Sequence, residues 1–287
     1  MQRSQPRRKT VHKKVLLKKK YTAATADKYE LYQLAVQAPE NDREFLVKVY
    51  KKLTGKVARH FREDFCGTAL LACEWVKQGP SYTAEAFDLD PAVLAWGWAC
   101  NVLTLGEDAE RVVLHEKDVR EKGNKPADIR VAQNFSYCVF KERAALLGYF
   151  QRVRRELAPG GMFAIDLYGG FEATEEMEEE RKVDEGFTYV WDQNEYLPGS
   201  GQYTCHIHFR FKDGTEMKRA FTYDWRYWSL PEIKDIMVEA GFSSVSSWFE
   251  QSDDTEEGEG NGIYKRDETG RSCRNCAGWV AYVVALK

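Results

Sequence analysis

The stretch Phe61-Arg62-Glu63-Asp64-Phe65-Cys66-Gly67-Thr68-Ala69 closes one strand-like run and opens a helix at Leu70. A glycine-bearing turn lets backbone approach a ligand, and the helix N-terminus behind it favours negative charge. The next strand-like run ends in Phe87-Asp88-Leu89-Asp90. A carboxylate at a strand end, about 21 residues past such a turn, is placed to hold both hydroxyls of a ribose. A third run ends in Lys117-Asp118-Val119, where a side chain and a backbone amide can read an adenine edge. A fourth ends in Gln133-Asn134-Phe135-Ser136-Tyr137. All four fall at the carboxyl edge of the expected sheet, where open α/β folds bind ligands.

The elements that position them are announced by caps and periodicity. Strand-like runs cover 57–65, 82–89, 111–119, 128–135 and 162–167, and helical patterns alternate with them. That alternation predicts βαβ units and a parallel sheet covered on both faces. Asn41-Asp42-Arg43-Glu44 reads as a capping box, followed by Phe45, Leu46, Val49, Tyr50 and Leu53 on one stripe. Asp90-Pro91 supplies an N-cap and a proline at the first helical position, and Gly106 a stop. A helix from Lys141 ends before Pro159-Gly160-Gly161, and Ser229 to Glu232 is a second capping box, closed by Gly241. The first strand is a poor one, because Arg59, His60 and Arg62 stand where a buried strand should be apolar. After Leu167 the pattern changes. An acid-rich helix or loop at 171–187 precedes antiparallel strands at 188–191, 203–211 and 217–223, with an Asp213-Gly214 hairpin turn between the last two. Residues 252–262 read as a loop and 279–286 as a buried strand.

In this order the segments resemble the class I S-adenosylmethionine-dependent methyltransferases. The likeness covers about residues 40–286. Glu63 to Ala69 resembles the family's first motif, in which an acid precedes a Gly-x-Gly-x-Gly turn; Asp88, Asp118-Val119 and Asn134-Phe135 match the next three. More narrowly, the chain resembles a bacterial and fungal group whose first motif reads Asp-Phe-Cys-Gly-Thr. The resemblance implies a Rossmann-like α/β fold: a seven-stranded, mostly parallel sheet, its last strand antiparallel, with an antiparallel β lid inserted after the fifth strand. It also implies S-adenosyl-L-methionine as cofactor, held by Arg62, Glu63, Asp64, Cys66, Gly67, Thr68, Asp88, Leu89, Asp118, Val119, Asn134 and Phe135. Only Gly67 of the three motif glycines is present; Phe65 and Ala69 take the other places. A dinucleotide would need the missing Gly-x-Gly-x-x-Gly to cradle its pyrophosphate, whereas S-adenosylmethionine has none.

Residues 168–228 form the expected substrate lid, rich in aromatic residues that include Tyr168, Tyr189, Trp191, Tyr203, Tyr223 and Trp225. Aromatic faces tolerate a sulfonium cation. The expected reaction is methyl transfer to a small molecule, an amine or an amino-acid-like metabolite. It needs alignment, exclusion of water and a neutral nucleophile. Asn134, Tyr137, Tyr168, His208, Tyr223 and Arg226 are the candidate catalytic residues, with Arg226 able to hold a substrate carboxylate. Cys205-His206-Ile207-His208 and Cys273-Arg274-Asn275-Cys276 could together supply a zinc set, but a single Cys-x-x-Cys is a weak signal and no metal is expected.

Charge separates the chain into two parts. The net charge is −3, yet residues 1–26 hold nine Lys or Arg and no acid, leaving 33 basic against 45 acidic residues in a body of net −12. The expectation is a solvated basic arm at 1–26 and a methyltransferase domain at 27–287. A uniformly basic nucleic-acid-binding domain is excluded. The arm leaves open a second reading, in which it guides the enzyme to RNA or protein. A third is a binding protein that has lost its cofactor. The acidic stretch with Asp253, Asp254, Glu256, Glu257 and Glu259 would suit a cationic substrate. No apolar run is long enough to span a bilayer, and seven scattered cysteines fit a reducing, cytoplasmic compartment.

Overall fold

The computed structural model describes residues 21–252 and 260–287; most of the basic arm and the acidic stretch 253–259 lie outside the described residues. Two helices, α1 (Lys28–Val36) and α2 (Pro39–Thr54), precede the alternating part. There follow β1 (His60–Asp64), α3 (Leu70–Val76), β2 (Thr83–Asp88), α4 (Pro91–Gly97), β3 (Val112–Glu116), β4 (Ala127–Ala132), α5 (Arg143–Glu156) and β5 (Leu157–Gly169). The inserted part holds β6 (Met177–Val183), β7 (Phe187–Leu197), β8 (Gln202–Phe211) and β9 (Glu216–Arg226). The chain closes with α6 (Leu230–Glu239), β10 (Ser244–Ser252), β11 (Gly260–Arg266) and β12 (Trp279–Leu286).

The main sheet has the order β11-β10-β12-β5-β4-β1-β2-β3. Strands β1 to β5 pair in parallel, while β12 runs antiparallel to both β5 and β10. The sheet therefore has eight strands rather than the expected seven. The extra one, β11, pairs antiparallel with β10 and begins inside the stretch read as a loop. Its glycines obscured it, since Gly260 to Gly262 match turn chemistry better than strand propensity.

One apolar core lies between the sheet and α2 to α4, around Phe45, Tyr50, Trp75 and Ile129. The other lies on the opposite face, around Phe150, Phe163 and Ile236, and continues beneath the inserted sheet. Most caps act as expected. The Asp90 carboxylate accepts from the Ala92 N–H at 2.8 Å, and Ser229 and Glu232 form a reciprocal capping box. The expected box at Asn41 is an exception. Pro39 starts α2 earlier, with Ala38 as cap, so Asn41 lies within the first turn.

The charged residues of β1 have a physical explanation. Asp64 is fully buried and accepts from Arg62 Nε at 2.8 Å, Arg130 Nε at 2.7 Å and the Tyr149 hydroxyl at 2.7 Å. Both guanidinium groups also reach Glu156 Oε2, at 3.0 and 3.1 Å, and both donate to the Val119 carbonyl. Two cations and two anions thus neutralise each other across β1, β4 and α5. Beside them, His60 and His115 bracket Glu85 at 2.9 and 2.8 Å. Burial alone would raise the Glu85 carboxyl, but hydrogen bonds from His60 and the Asn124 N–H, with the charges of both histidines, hold it at about 2. Loop 117–126, which joins β3 to β4 without a helix, ties to this polar layer through the carbonyls of Val119 and Glu121 and the N–H of Asn124.

The insertion is a second sheet of order β6-β7-β8-β9. Its first strand, β6, forms where a helix or loop was expected. The acids of that strand are paired: Arg210 reaches Glu178 at 2.8 Å and also contacts Glu180. Residues 21–26, assigned to the arm from sequence, pack onto this sheet. Tyr21 is buried with its ring 5.6 Å from that of Phe187, and the Ala23 N–H donates to Thr215 Oγ1 at 3.0 Å.

Arg130→Met is expected to destabilise the fold by about 3–5 kcal/mol, because Asp64 and Glu156 keep their charge and lose half their compensation. Urea unfolding measures this. A loss below about 1 kcal/mol would show that the ion-pair layer is dispensable.

Candidate functional site

The turn after β1 has the geometry of a glycine-rich loop without its glycines. Phe65, Gly67 and Ala69 all adopt left-handed backbone, with φ of 54°, 53° and 54°. A side chain in that region costs about 1–2 kcal/mol, so the surroundings must hold the turn in place. They do so from four sides. The Cys66 N–H donates to Phe87 O at 2.9 Å and the Gly67 N–H to Asp88 Oδ2 at 2.8 Å. The Thr68 hydroxyl accepts from Gln33 Nε2 at 2.7 Å, and its carbonyl accepts from Asn101 Nδ2 at 2.8 Å. Gly97 of α4 lies so close that a Cβ there would fall 2.5 Å from the Thr68 carbonyl oxygen.

Asp88 stands at the end of β2 beside this turn. Its Oδ2 takes the Gly67 N–H and its Oδ1 the Asp90 N–H, at 3.0 Å, and the Leu89 N–H also bonds to the carboxylate. Burial raises its pKa somewhat, opposed by those hydrogen bonds. Next to it Leu89 is 66% exposed, an apolar side chain with nothing over it among the described residues. The first helix reaches across from the other side. Trp96 Nε1 donates to Asp27 Oδ2 at 3.0 Å, and the Tyr29 phenol is raised by burial and by the charges of Asp90, Asp27 and Asp88. Neither Tyr29 nor Gln33 was legible as a site residue, because α1 precedes every recognisable motif.

At the end of β4, Asn134 and Phe135 are both left-handed, with φ of 56° and 60°. Asp166 of β5 explains this turn: its two oxygens accept the N–H groups of Asn134 and Phe135 at 2.9 and 3.1 Å. Sequence reasoning missed Asp166, although a lone carboxylate inside Ala164-Ile165-Asp166-Leu167 was a signal. These groups line a small cleft of about 30 Å³, bordered by Tyr32 of α1 and by Tyr189, Trp191, Tyr223 and Trp225 of the inserted sheet. Tyr223 and Trp225 are stacked at 4.3 Å, with Trp191 5.9 and 6.2 Å away.

Several expected site residues stand elsewhere. Arg62 and Asp64 belong to the buried ion-pair layer, not to the turn's ligand side. Cys66 is buried in the core on the α3 side, and burial pushes its thiol well up. Glu63 is buried too, accepting from the Ala72 N–H at 2.9 Å; desolvation, against that bond, raises its carboxyl to about 8. Both oxygens of Asp118 are engaged by Arg120, which lowers its pKa. Val119 turns its carbonyl toward the two arginines. Asn134, Phe135 and Tyr223 line the cleft, whereas Tyr137 and Tyr168 line a separate, adjoining chamber with Arg226. Arg226 donates to the Lys141 carbonyl at 3.1 Å and lies 3.5 Å from Glu232.

His208 faces the wrong way. Its neighbours Ile207 and Phe209 point into the core beneath the lid, while His208 is on the outer face with Asp192 at 3.1 Å. The same alternation places Cys205 and His206 on opposite faces of β8. Glu178, Asp192 and His208 have ligand atoms within 4.8 Å of one another. However, Arg210 occupies Glu178, and His208 Nδ1 accepts the Arg219 N–H at 2.8 Å. That bond puts the imidazole proton on Nε2, the atom a cation would need.

No family model matches the chain, and no curated protein matches it in sequence. Solved structures do match in shape. A S-adenosylmethionine-dependent methyltransferase from Clostridium acetobutylicum superposes with a TM-score of 0.63 at 14% identity, covering 89% of this chain and 96% of the other. CalS10, an amino pentose methyltransferase from Micromonospora echinaspora, gives 0.63 at 16% identity, covering 91% and 97%. The sugar N-methyltransferase KedS8 from a Streptoalloteichus species gives 0.57 at 15%, covering 97% and 98%. The chain has the fold of S-adenosylmethionine-dependent methyltransferases. Within that methyltransferase fold, the left-handed turn, Asp88 and the Asn134 turn line the carboxyl edge of the parallel strands. Among the described residues no helix is long and apolar enough to cross a membrane.

Two outcomes test this geometry. Gly97→Ala is expected to cost about 1–3 kcal/mol in thermal or urea unfolding, because the clash is with backbone that cannot rotate away. Glu63→Gln tests the buried carboxyl. With a folded pKa near 8 against 4.5 unfolded, Glu63 is protonated and harmless at low pH, and its charging destabilises the fold progressively as pH rises from about 5 to 8. Melting temperatures of the native chain should therefore fall relative to Glu63→Gln across that window. Parallel curves would refute the raised pKa.

Proposed function

We propose that the protein is a S-adenosylmethionine-dependent methyltransferase acting on the amine of a small molecule. The observation that carries this is Asp88: a carboxylate at the end of β2, beside the left-handed turn, with its two oxygens held in place by the Gly67 and Asp90 N–H groups. Two vicinal hydroxyls of a ribose match that pair of acceptors. Exposed Leu89 offers an apolar surface to a flat base, and the Gly67 turn allows close approach of the rest of the cofactor. When bound, S-adenosylmethionine supplies a methyl group activated by a positively charged sulfur.

The remaining work belongs to this chain's own residues. Trp191, Tyr223 and Trp225 present aromatic faces to the cleft, which favour positive charge. Asp166 adds a carboxylate to the lining. The lid keeps water away and holds the acceptor in line. Burial raises the Tyr223 phenol well above its ordinary value, so it stays protonated and acts as a hydrogen-bond donor, not as a base. CalS10 and KedS8 are described as methyltransferases of an amino pentose and of a sugar nitrogen, which supports the choice of nitrogen as acceptor.

Calorimetry with S-adenosylhomocysteine tests the cofactor assignment. The native chain should bind it, and Asp88→Ala should weaken binding at least tenfold, the equivalent of about 1.4 kcal/mol. Absence of heat for the native chain, or equal affinity of the variant, sinks the reading.

A further inference from the structure

The segment joining β11 to β12 carries the Cys-x-x-Cys of the sequence, Cys273 and Cys276. Four of the seven cysteines, Cys66, Cys73, Cys138 and Cys205, are buried, whereas Cys276 is exposed and Cys273 half-buried. The Cys273 and Cys276 thiols lie within hydrogen-bond reach of each other, so two accessible sulfurs meet here. The fold holds them in place. Asp267 Oδ1 accepts the Thr269 and Gly270 N–H groups at 3.1 and 2.8 Å and the Ser272 hydroxyl at 2.8 Å, which fixes the approach to Cys273. On the other side, the Cys276 carbonyl accepts the Phe171 N–H and the Ala277 carbonyl the Glu172 N–H, both at 3.0 Å. Gly170 packs so closely that a Cβ there would fall 2.3 Å from the Ala277 carbonyl oxygen. Sulfurs held together in this way have a high effective concentration toward each other, which favours a ring-closed disulfide.

The same contacts put the pair at the root of the lid. Residues 171–174 form a short turn that leads from β5 into the inserted sheet. Gln193 of β7 donates to the Glu172 and Glu175 carbonyls at 2.9 and 2.6 Å. Trp191, whose Nε1 donates to Gln193 Oε1 at 3.4 Å, lines the cleft. A continuous chain of contacts thus runs from Cys276 to a wall of the cleft.

We propose that Cys273 and Cys276 are a modification site, a dithiol that closes reversibly to a disulfide by exchange with a low-molecular-weight disulfide such as oxidised glutathione, and that its state sets how firmly the start of the lid is held. The Cys276 thiolate attacks one sulfur of the small disulfide, forms a mixed disulfide and expels one thiolate. The Cys273 thiolate then attacks the Cys276 sulfur and expels the second. The two cysteine sulfurs lose two electrons in all, the small disulfide is reduced to two thiols, and the cysteine protons pass to the expelled thiolates. Burial, then the neighbouring Cys276, push the Cys273 thiol up to about 11, so the exposed Cys276 makes the first attack. Ring closure removes both S–H groups, which donate to the Arg274 and Gly278 carbonyls at 3.4 and 3.3 Å in the dithiol. It also draws the sulfurs to about 2.05 Å and with them the Cys276 backbone, whose carbonyl holds Phe171. This chemistry does not depend on the methyltransferase reading. It is compatible with a reducing compartment, where disulfides are transient and regulatory.

The test equilibrates the full chain with reduced and oxidised glutathione, in native buffer and in concentrated urea, then alkylates and digests it. Trypsin cuts after Arg271 and Arg274, so the disulfide is read by mass as Ser272–Arg274 still joined to Asn275–Lys287. The folded chain should form this linked pair with an equilibrium constant about tenfold or more above that of the unfolded chain, because the fold holds the sulfurs together. No linked pair, or equal constants, overturns the exchange site. Hydrogen exchange reads the second half of the proposal. The Phe171 and Glu172 amides should exchange about tenfold faster in the disulfide form, and Cys276→Ser in the same oxidising mixture should show no such change. Unchanged exchange in the native chain, or an equal change in Cys276→Ser, overturns the link to the lid.

Discussion

Asp64 accepts hydrogen bonds from two guanidinium groups and a phenol in a place that water does not reach. Much of the ligand edge depends on that arrangement. A strand in the middle of a parallel sheet is buried on both faces, and a charge there is tolerated only when paired. Arg62 and Arg130 satisfy Asp64 and Glu156, then use their remaining N–H groups on the Val119 and Glu121 carbonyls. The loop after β3 is thereby tied to β1 and β4, although no helix joins β3 to β4. The same strand whose even positions form this layer delivers the left-handed turn at its end. Ion pairs of this kind are weak evidence for added stability, but removing one partner is expensive. The layer thus acts as a constraint on geometry: β1, β4, α5 and loop 117–126 take up one mutual arrangement or leave charge unpaired.

The second constraint is the turn itself. Backbone at φ near 54° suits glycine, yet Phe65 and Ala69 hold it. Their side chains are compensated by burial. Ala69 is fully enclosed, and the Phe65 ring lies 6.0 and 6.1 Å from those of Phe140 and Tyr149. Where a loop must cradle a pyrophosphate, such side chains would obstruct the backbone. Here a ligand without one needs close approach only at Gly67, and the other two positions are free to contribute packing.

How much of this was legible follows from the range of each interaction. The Asp90-Pro91 cap and the Ser229 box depend on groups within three residues, and both read directly. Asp88 was found because strand, turn and strand recur at a regular interval. The fate of Arg62 was not readable, because its partners include Glu156, 94 residues away, and the Arg130 that shares Asp64 with it is 66 residues from that carboxylate. Likewise, period-two alternation put His206 and His208 on one face of a strand, but nothing local says which face meets the core. The neighbours of β8 decide that: Tyr203, Cys205, Ile207 and Phe209 are the better apolar set and meet the core, so the histidines take the opposite face, where they are buried against polar partners. Strand β6 was hidden for the same reason, since its acids are compensated by Arg210 of β8, about 30 residues on.

Asp166 shows how a single such contact can organise a site. The Asn134 and Phe135 N–H groups would both be hard to satisfy in a left-handed turn at the end of a buried strand. A carboxylate on the adjacent strand accepts both, and in doing so selects the turn. The selected turn stands the Phe135 ring against Tyr168 at 4.7 Å and opposite Trp225. That ring is the wall between the cleft and the tyrosine chamber. The place of the Phe135 ring at the ligand edge is therefore a consequence of one hydrogen-bonded carboxylate, carried on a strand whose neighbours are otherwise apolar.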